Sequence, residues 1–127
     1  MLESTAVEKE IRSKAKEWVD EYGADFLVEL IDVYLADTPN RLALLRQAIE
    51  GGDAETCVRE AHTLKSSSAN LGALELSASA KEMEAAGRAG RTATLADEIG
   101  RFESQFAAVK TALEALRCAP EILIQEN

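Results

Sequence analysis

His62 is the only histidine in this 127-residue chain, and Lys65 and Ser66 follow it at three and four positions. Residues at i, i+3 and i+4 of a helix share one face. On a helix, then, a nucleophilic ring nitrogen, a fixed positive charge and a position of low bulk would meet on one patch. That patch suits the acceptance and release of a phosphoryl group. An imidazole with its ordinary pKa of about 6.5 is largely neutral in the cytoplasm and offers one lone pair for attack. A lysine one turn away can meet the charge that a loose phosphoryl-transfer transition state spreads over its equatorial oxygens.

The surrounding segment reads Ala61-His62-Thr63-Leu64-Lys65-Ser66-Ser67-Ser68-Ala69-Asn70-Leu71-Gly72-Ala73. It resembles the signature of histidine-containing phosphotransfer (HPt) domains, A-H-x-L-K-G-S-S-x-x-L-G-A. Ala61, His62, Leu64, Lys65, Ser67, Ser68, Leu71, Gly72 and Ala73 match it. Ser66 departs, standing where the family most often has the glycine that lets an incoming domain approach closely. The similarity in helix order and loop placement runs from about Phe26 to the helix ending near Leu116. The resemblance implies that Nε2 of His62 takes the phosphoryl group while a neighbour holds Nδ1. Glu84, on the following helix at a position where relatives often place Gln or Glu, is the candidate for that hold. The other reading of Glu84 is an ordinary solvated surface acid. The resemblance further implies that response-regulator receiver domains, a hybrid sensor histidine kinase, or both are the partners. A receiver would supply the aspartate and the Mg²⁺, so no cofactor or metal is expected on this chain, and a monomer is the default state.

At about 100° per residue, Ala54, Cys57, Ala61, Leu64, Ser68 and Leu71 cluster on one side of their helix. His62 lies roughly 100–120° from the centre of that side, on a flank open to solvent. Val58 and Ala69 are the expected apolar part of a docking patch around it, and Arg59 and Arg88, with Lys65, its basic part. Two other classes of function compete. A phosphorylation-independent helical adaptor for receiver or kinase partners is favoured by Ser66 alone. A metal or hydrolase site is disfavoured: Cys57 and His62 diverge by about 140°, the lone histidine has no second ligand cluster, and a His62–Ser66 pair lacks an oxyanion loop. No Gly-rich phosphate loop or kinase signature is present, so the expected role is a carrier with no autokinase activity.

The formal net charge of −9 and pI of about 4.6 argue against nucleic acid and against an anionic membrane surface as partners. No apolar stretch approaches the length of a membrane span. Two cysteines, Cys57 and Cys118, and an N-terminus without a secretory pattern predict a reducing cytoplasm. The Met1 start and the lack of a receiver sequence favour a free-standing protein. Aromatic residues are only 5%, which favours helices over a sheet.

The expected fold is all-α, an up-and-down antiparallel four-helix bundle with an additional short N-terminal helix or helices. One domain fills residues 1–127, with a helical core over about 24–117 and a frayed tail over 118–127. Helices are expected at about Thr5–Asp20 and Ala24–Ala36, with Gly23 as a turn. Thr38-Pro39 reads as an N-cap and first helical position opening a third helix through Leu42, Leu45 and Ile49. Gly51-Gly52-Asp53 reads as a stop and a new N-cap before a helix over about Ala54–Asn70, ended by Gly72. A fifth helix over about Leu74–Ala86 stops at the Gly87–Gly90 segment. The last carries Leu95, Ile99, Phe102, Phe106, Val109, Leu113 and Leu116 at alternating spacings of four and three.

Overall fold

Five α-helices account for most of the chain: α1 (Ala6–Tyr22), α2 (Ala24–Glu50), α3 (Ala54–Asn70), α4 (Leu74–Arg88) and α5 (Thr92–Cys118). A short 3₁₀ turn, Pro120–Leu123, follows. The computed structural model describes residues 5–123. No helix among them is long and apolar enough to cross a membrane. Helices α2 to α5 form the expected antiparallel bundle, and the side-chain pairs between them show the direction. Asp32 and Arg46 of α2 meet Arg117 and Glu103 of α5, so the partner number falls as the α2 number rises. Tyr34 and Arg41 of α2 likewise meet Ser68 and Glu60 of α3. The α5 seam is buried along its whole length, from Leu95 through Phe102 and Phe106 to Leu116.

Two expectations about element boundaries are corrected. First, Thr38-Pro39 opens no new helix, because α2 runs unbroken for 27 residues with Pro39 inside it. Leu27, Ile31, Tyr34, Thr38, Leu42, Leu45 and Ala48 form one buried stripe that a break would put out of line. Proline removes the bond from its own nitrogen to the carbonyl four residues back and its ring crowds that carbonyl, a cost the buried stripe offsets, and Pro39 keeps its ring exposed. The Thr38 hydroxyl donates to Tyr34 O at 2.7 Å, and Asn40 Nδ2 to Ala36 O at 3.4 Å. These bonds support the backbone around the missing donor. Helix α4 stops within the expected Gly87–Gly90 segment, at Arg88, with Gly87 still inside the helix. Second, the chain beyond Cys118 is not frayed from its start, since Leu123 is fully buried in the core. Residues 124–127 of the expected tail lie outside the described residues.

Helix α1 is no short appendage. At 17 residues it matches α3, begins in a capping box between Thr5 and Glu8, and buries Ile11 and Ala15 in the shared core. It lies across the end of the bundle where α3 turns into α4. Gly72 makes that seat, with φ 78° and a backbone so close to α1 that a Cβ would stand 2.6 Å from Glu10 O and 2.8 Å from Lys14 Cβ. Only glycine meets both conditions. Trp18 Nε1 donates to Asn70 O at 2.6 Å, fixing α1 to the last turn of α3.

Candidate functional site

Helix α3 is specified locally at both ends. The Asp53 carboxylate accepts from Thr56 N at 3.2 Å and starts it. At the other end Ala73 N donates to Ser68 O at 2.9 Å around Gly72 and stops it. Its inner stripe of Cys57, Ala61, Leu64 and Ser68 is buried, and the Ser68 hydroxyl pairs with the Tyr34 hydroxyl at 2.9 Å. With that stripe inward, His62 falls on the flank, its side chain 57% exposed.

The partner of that flank is α4, which packs directly against α3 at Gly87, where no side chain intervenes. A Cβ there would lie 2.9 Å from Val58 Cγ2, 3.4 Å from Val58 N and 3.6 Å from Cys57 Cβ. Farther along the same seam the Ser77 hydroxyl donates to Lys65 O at 2.9 Å. Between these two points Glu84 projects toward α3. It is no solvated surface acid, since its side chain is only 8% exposed.

Three side chains converge on the Glu84 carboxylate. Lys65 Nζ donates to Oε1 at 2.8 Å, Arg88 Nη2 donates to Oε2 at 2.9 Å, and His62 Nδ1 lies 2.9 Å from Oε2. The lysine contact, joined by those from Arg88 and His62, outweighs desolvation and lowers the Glu84 pKa from 4.5 to about 2. The carboxylate is therefore ionised at neutral pH and can only accept hydrogen bonds. That fixes the neutral His62 ring with its proton on Nδ1, donating to Glu84, and its lone pair on Nε2. The tautomer follows from the acid's charge. Lys65, Arg88 and Glu84 together carry one net positive charge beside a nucleophilic nitrogen.

The other expected site residues fall in different places. Ser66 is exposed on the His62 face one turn farther on. Val58, Arg59 and Arg88 line a shallow open depression with Gly87, one turn before His62. Arg59 leans away toward the α2 side, donating to Glu60 Oε2 at 3.4 Å, so it does not join Lys65 in one basic spot. Ala69 stands apart, in a groove against Lys14 and Glu17 of α1. Among the described residues no group of three His, Cys, Asp or Glu side chains is placed to hold a metal ion.

Two features escape sequence reasoning. Gly87 is one, because a glycine near a helix end reads as punctuation. The other is Glu60, buried on the opposite flank of α3 and paired with Arg41 Nη1 at 2.8 Å. Its sole sequence signal is an acid at the edge of an inward-facing stripe.

A family model described as Hpt domain matches residues 29–118. Among solved structures, the chain is similar to the crystal structure of histidine-containing phosphotransfer protein B (HptB) from Pseudomonas aeruginosa PAO1. The identity is 26%, over 91% of this chain and 96% of that one, with a TM-score of 0.76. No curated protein sequence matches significantly.

Proposed function

The chain belongs to the Hpt domain family, and from that membership we propose that it is a phosphorelay intermediate, taking a phosphoryl group from a receiver-domain aspartate onto His62 Nε2 and passing it to another receiver. The observation that carries this reading is the 2.9 Å contact between Nδ1 and an ionised, buried carboxylate. It leaves Nε2 as the nucleophile on a half-exposed ring. Lys65 stabilises the charge on the transferring phosphoryl group. To do so its ammonium turns from Glu84 toward the incoming oxygens, a short swing for a flexible stem. Arg88 keeps Glu84 paired meanwhile. Ser66 sets how closely the partner approaches, and Val58 and Arg88 contribute to the surface it meets. The receiver brings the aspartate and its Mg²⁺, so this chain acts as carrier, as a monomer in the cytoplasm.

Transfer of labelled phosphate from phosphorylated receiver domains tests the proposal, with His62→Gln as control. Acid-labile label on the native chain, absent from the variant, is expected. A folded native chain that no receiver labels favours the adaptor role instead.

A further inference from the structure

On α3, Ala69 follows His62 by seven residues, which at about 100° per residue returns it to the same face. On α4, Leu74 and Lys81 share one stripe with Arg88 by the same count. Both stripes run to the end of the bundle that α1 crosses. There a groove forms between Ala69 and Leu74 on one side and Lys9, Ser13 and Glu17 of α1 on the other. Leu74 is 53% exposed in it, although it is a large apolar side chain. We propose that this groove is the far edge of the receiver-docking surface, with α1 as its end wall. A receiver seated on His62 lays an apolar side chain over Leu74 and Ala69, and the exposed edge of α1 admits or rejects it. This rests on the carrier function proposed above and names what selects its partners.

The distances place the groove inside the footprint of a partner of ordinary size. Ala69 lies about 10 Å from His62 along the α3 axis, at about 1.5 Å per residue. A standard interface covers about 800 Å² on each partner, a disc of about 16 Å radius. Centred on His62, that disc passes Ala69 and reaches α1. A transient contact of about 600 Å² a side, with a radius of about 14 Å, does the same.

Charge and rigidity support the assignment. Lys9 and Lys14 continue along this face the series of cations Arg88, Lys81 and Lys65, on a chain whose net charge is −9. A locally cationic strip suits a partner whose reaction centre is built of carboxylates. Glu10 and Glu17 are the acids of the wall, the latter 3.5 Å from Lys14. The Gly72 seat and the bond from Trp18 to Asn70 O hold α1 against α3, so a partner meets a fixed surface. Helix α1 also lies outside residues 29–118, which carry the family match. Its edge can therefore differ between carriers without touching the chemistry at His62 and Glu84.

Ser13→Trp fills the groove from an exposed position, and Leu74→Asn removes its apolar floor. Each full-length variant is labelled at His62 in two ways, by phosphorylated receiver domains and by phosphoramidate, a donor too small to touch α1. Lys110→Trp, exposed on α5 diagonally across the bundle from α3, is the control. Transfer from receivers should fall about tenfold in Ser13→Trp and several-fold in Leu74→Asn. Labelling by phosphoramidate should stay at the native rate in both, and Lys110→Trp should match the native chain with either donor. Native-rate transfer from every receiver to Ser13→Trp overturns the proposal and leaves the carrier function standing. If Ser13→Trp fails to fold, native-rate transfer to Leu74→Asn overturns it equally. Phosphoramidate labelling that falls in step with receiver labelling also overturns it, because the defect then lies at His62 and not in docking. A native chain that phosphoramidate labels and no receiver does overturns both readings.

Discussion

Replacing Gly87 by alanine tests whether helix spacing sets the chemistry. Alanine in a helix interior normally stabilises by about 1 kcal/mol relative to glycine. Here the added Cβ would stand 2.9 Å from Val58 Cγ2, where carbon atoms normally approach to about 3.5–4.0 Å. The shortfall is roughly 0.6–1 Å. Val58 cannot simply rotate away, because a β-branched side chain on a helix has one strongly preferred rotamer. Overpacking of this kind costs about 1–3 kcal/mol, so the propensity gain leaves a net loss of up to about 2 kcal/mol. The consequence at the site is larger. His62 lies one turn after Val58, and Glu84 lies three residues before Gly87. Separation of α3 and α4 by the shortfall would lengthen the 2.9 Å contact between Nδ1 and Oε2 to about 3.5 Å or more, beyond a useful hydrogen bond. Urea unfolding and label transfer should be measured together on Gly87→Ala, Val58→Ala and the double variant. Expected are lower stability and a transfer rate down by about tenfold in Gly87→Ala, both partly restored when Val58→Ala opens the space. A Gly87→Ala chain as stable as the native one, with unchanged transfer, would refute the role given to that close approach.

Gly72→Ala should be the most damaging glycine change, losing about 2–4 kcal/mol in chemical denaturation, because it adds strain at positive φ to a clash with the α1 backbone. Ser66→Phe should leave thermal stability within about 0.5 kcal/mol of native, as expected for an exposed position, yet block transfer from receivers. Equal rates for the two chains would remove Ser66 from the approach surface. Acid titration of stability should reveal Glu84. Its pKa drops from 4.5 unfolded to about 2 folded, so its contribution is full above the unfolded value and is lost as pH falls from there toward the folded one. Glu84→Gln should flatten that part of the stability curve, and a curve as steep as the native one would contradict the ion cluster.

What sequence could disclose follows from how local each determinant is. Asp53 and Gly72 bound α3 through bonds within a few residues, so its limits and the flank position of His62 were legible from spacing. Thr38-Pro39 misled because its local signal is a genuine helix start, overridden by a buried stripe running from Leu27 to Ala48. The packing role of Gly87 stayed hidden for the converse reason, since it lies wholly in the approach of Val58 from another helix. Glu84 was found through family resemblance rather than periodicity, and its burial and three partners depend on how close α4 lies to α3. The buried Glu60–Arg41 pair joins helices that the sequence separates by a loop, and nothing local marks it.

The most direct measurement is a two-step relay with this chain at catalytic concentration between a labelled donor receiver and an unlabelled acceptor receiver. Label should reach the acceptor only when the native chain is present, pass transiently through His62, and stop with His62→Gln. Label that reaches the acceptor equally well with His62→Gln would contradict the assignment of His62 as the carrier.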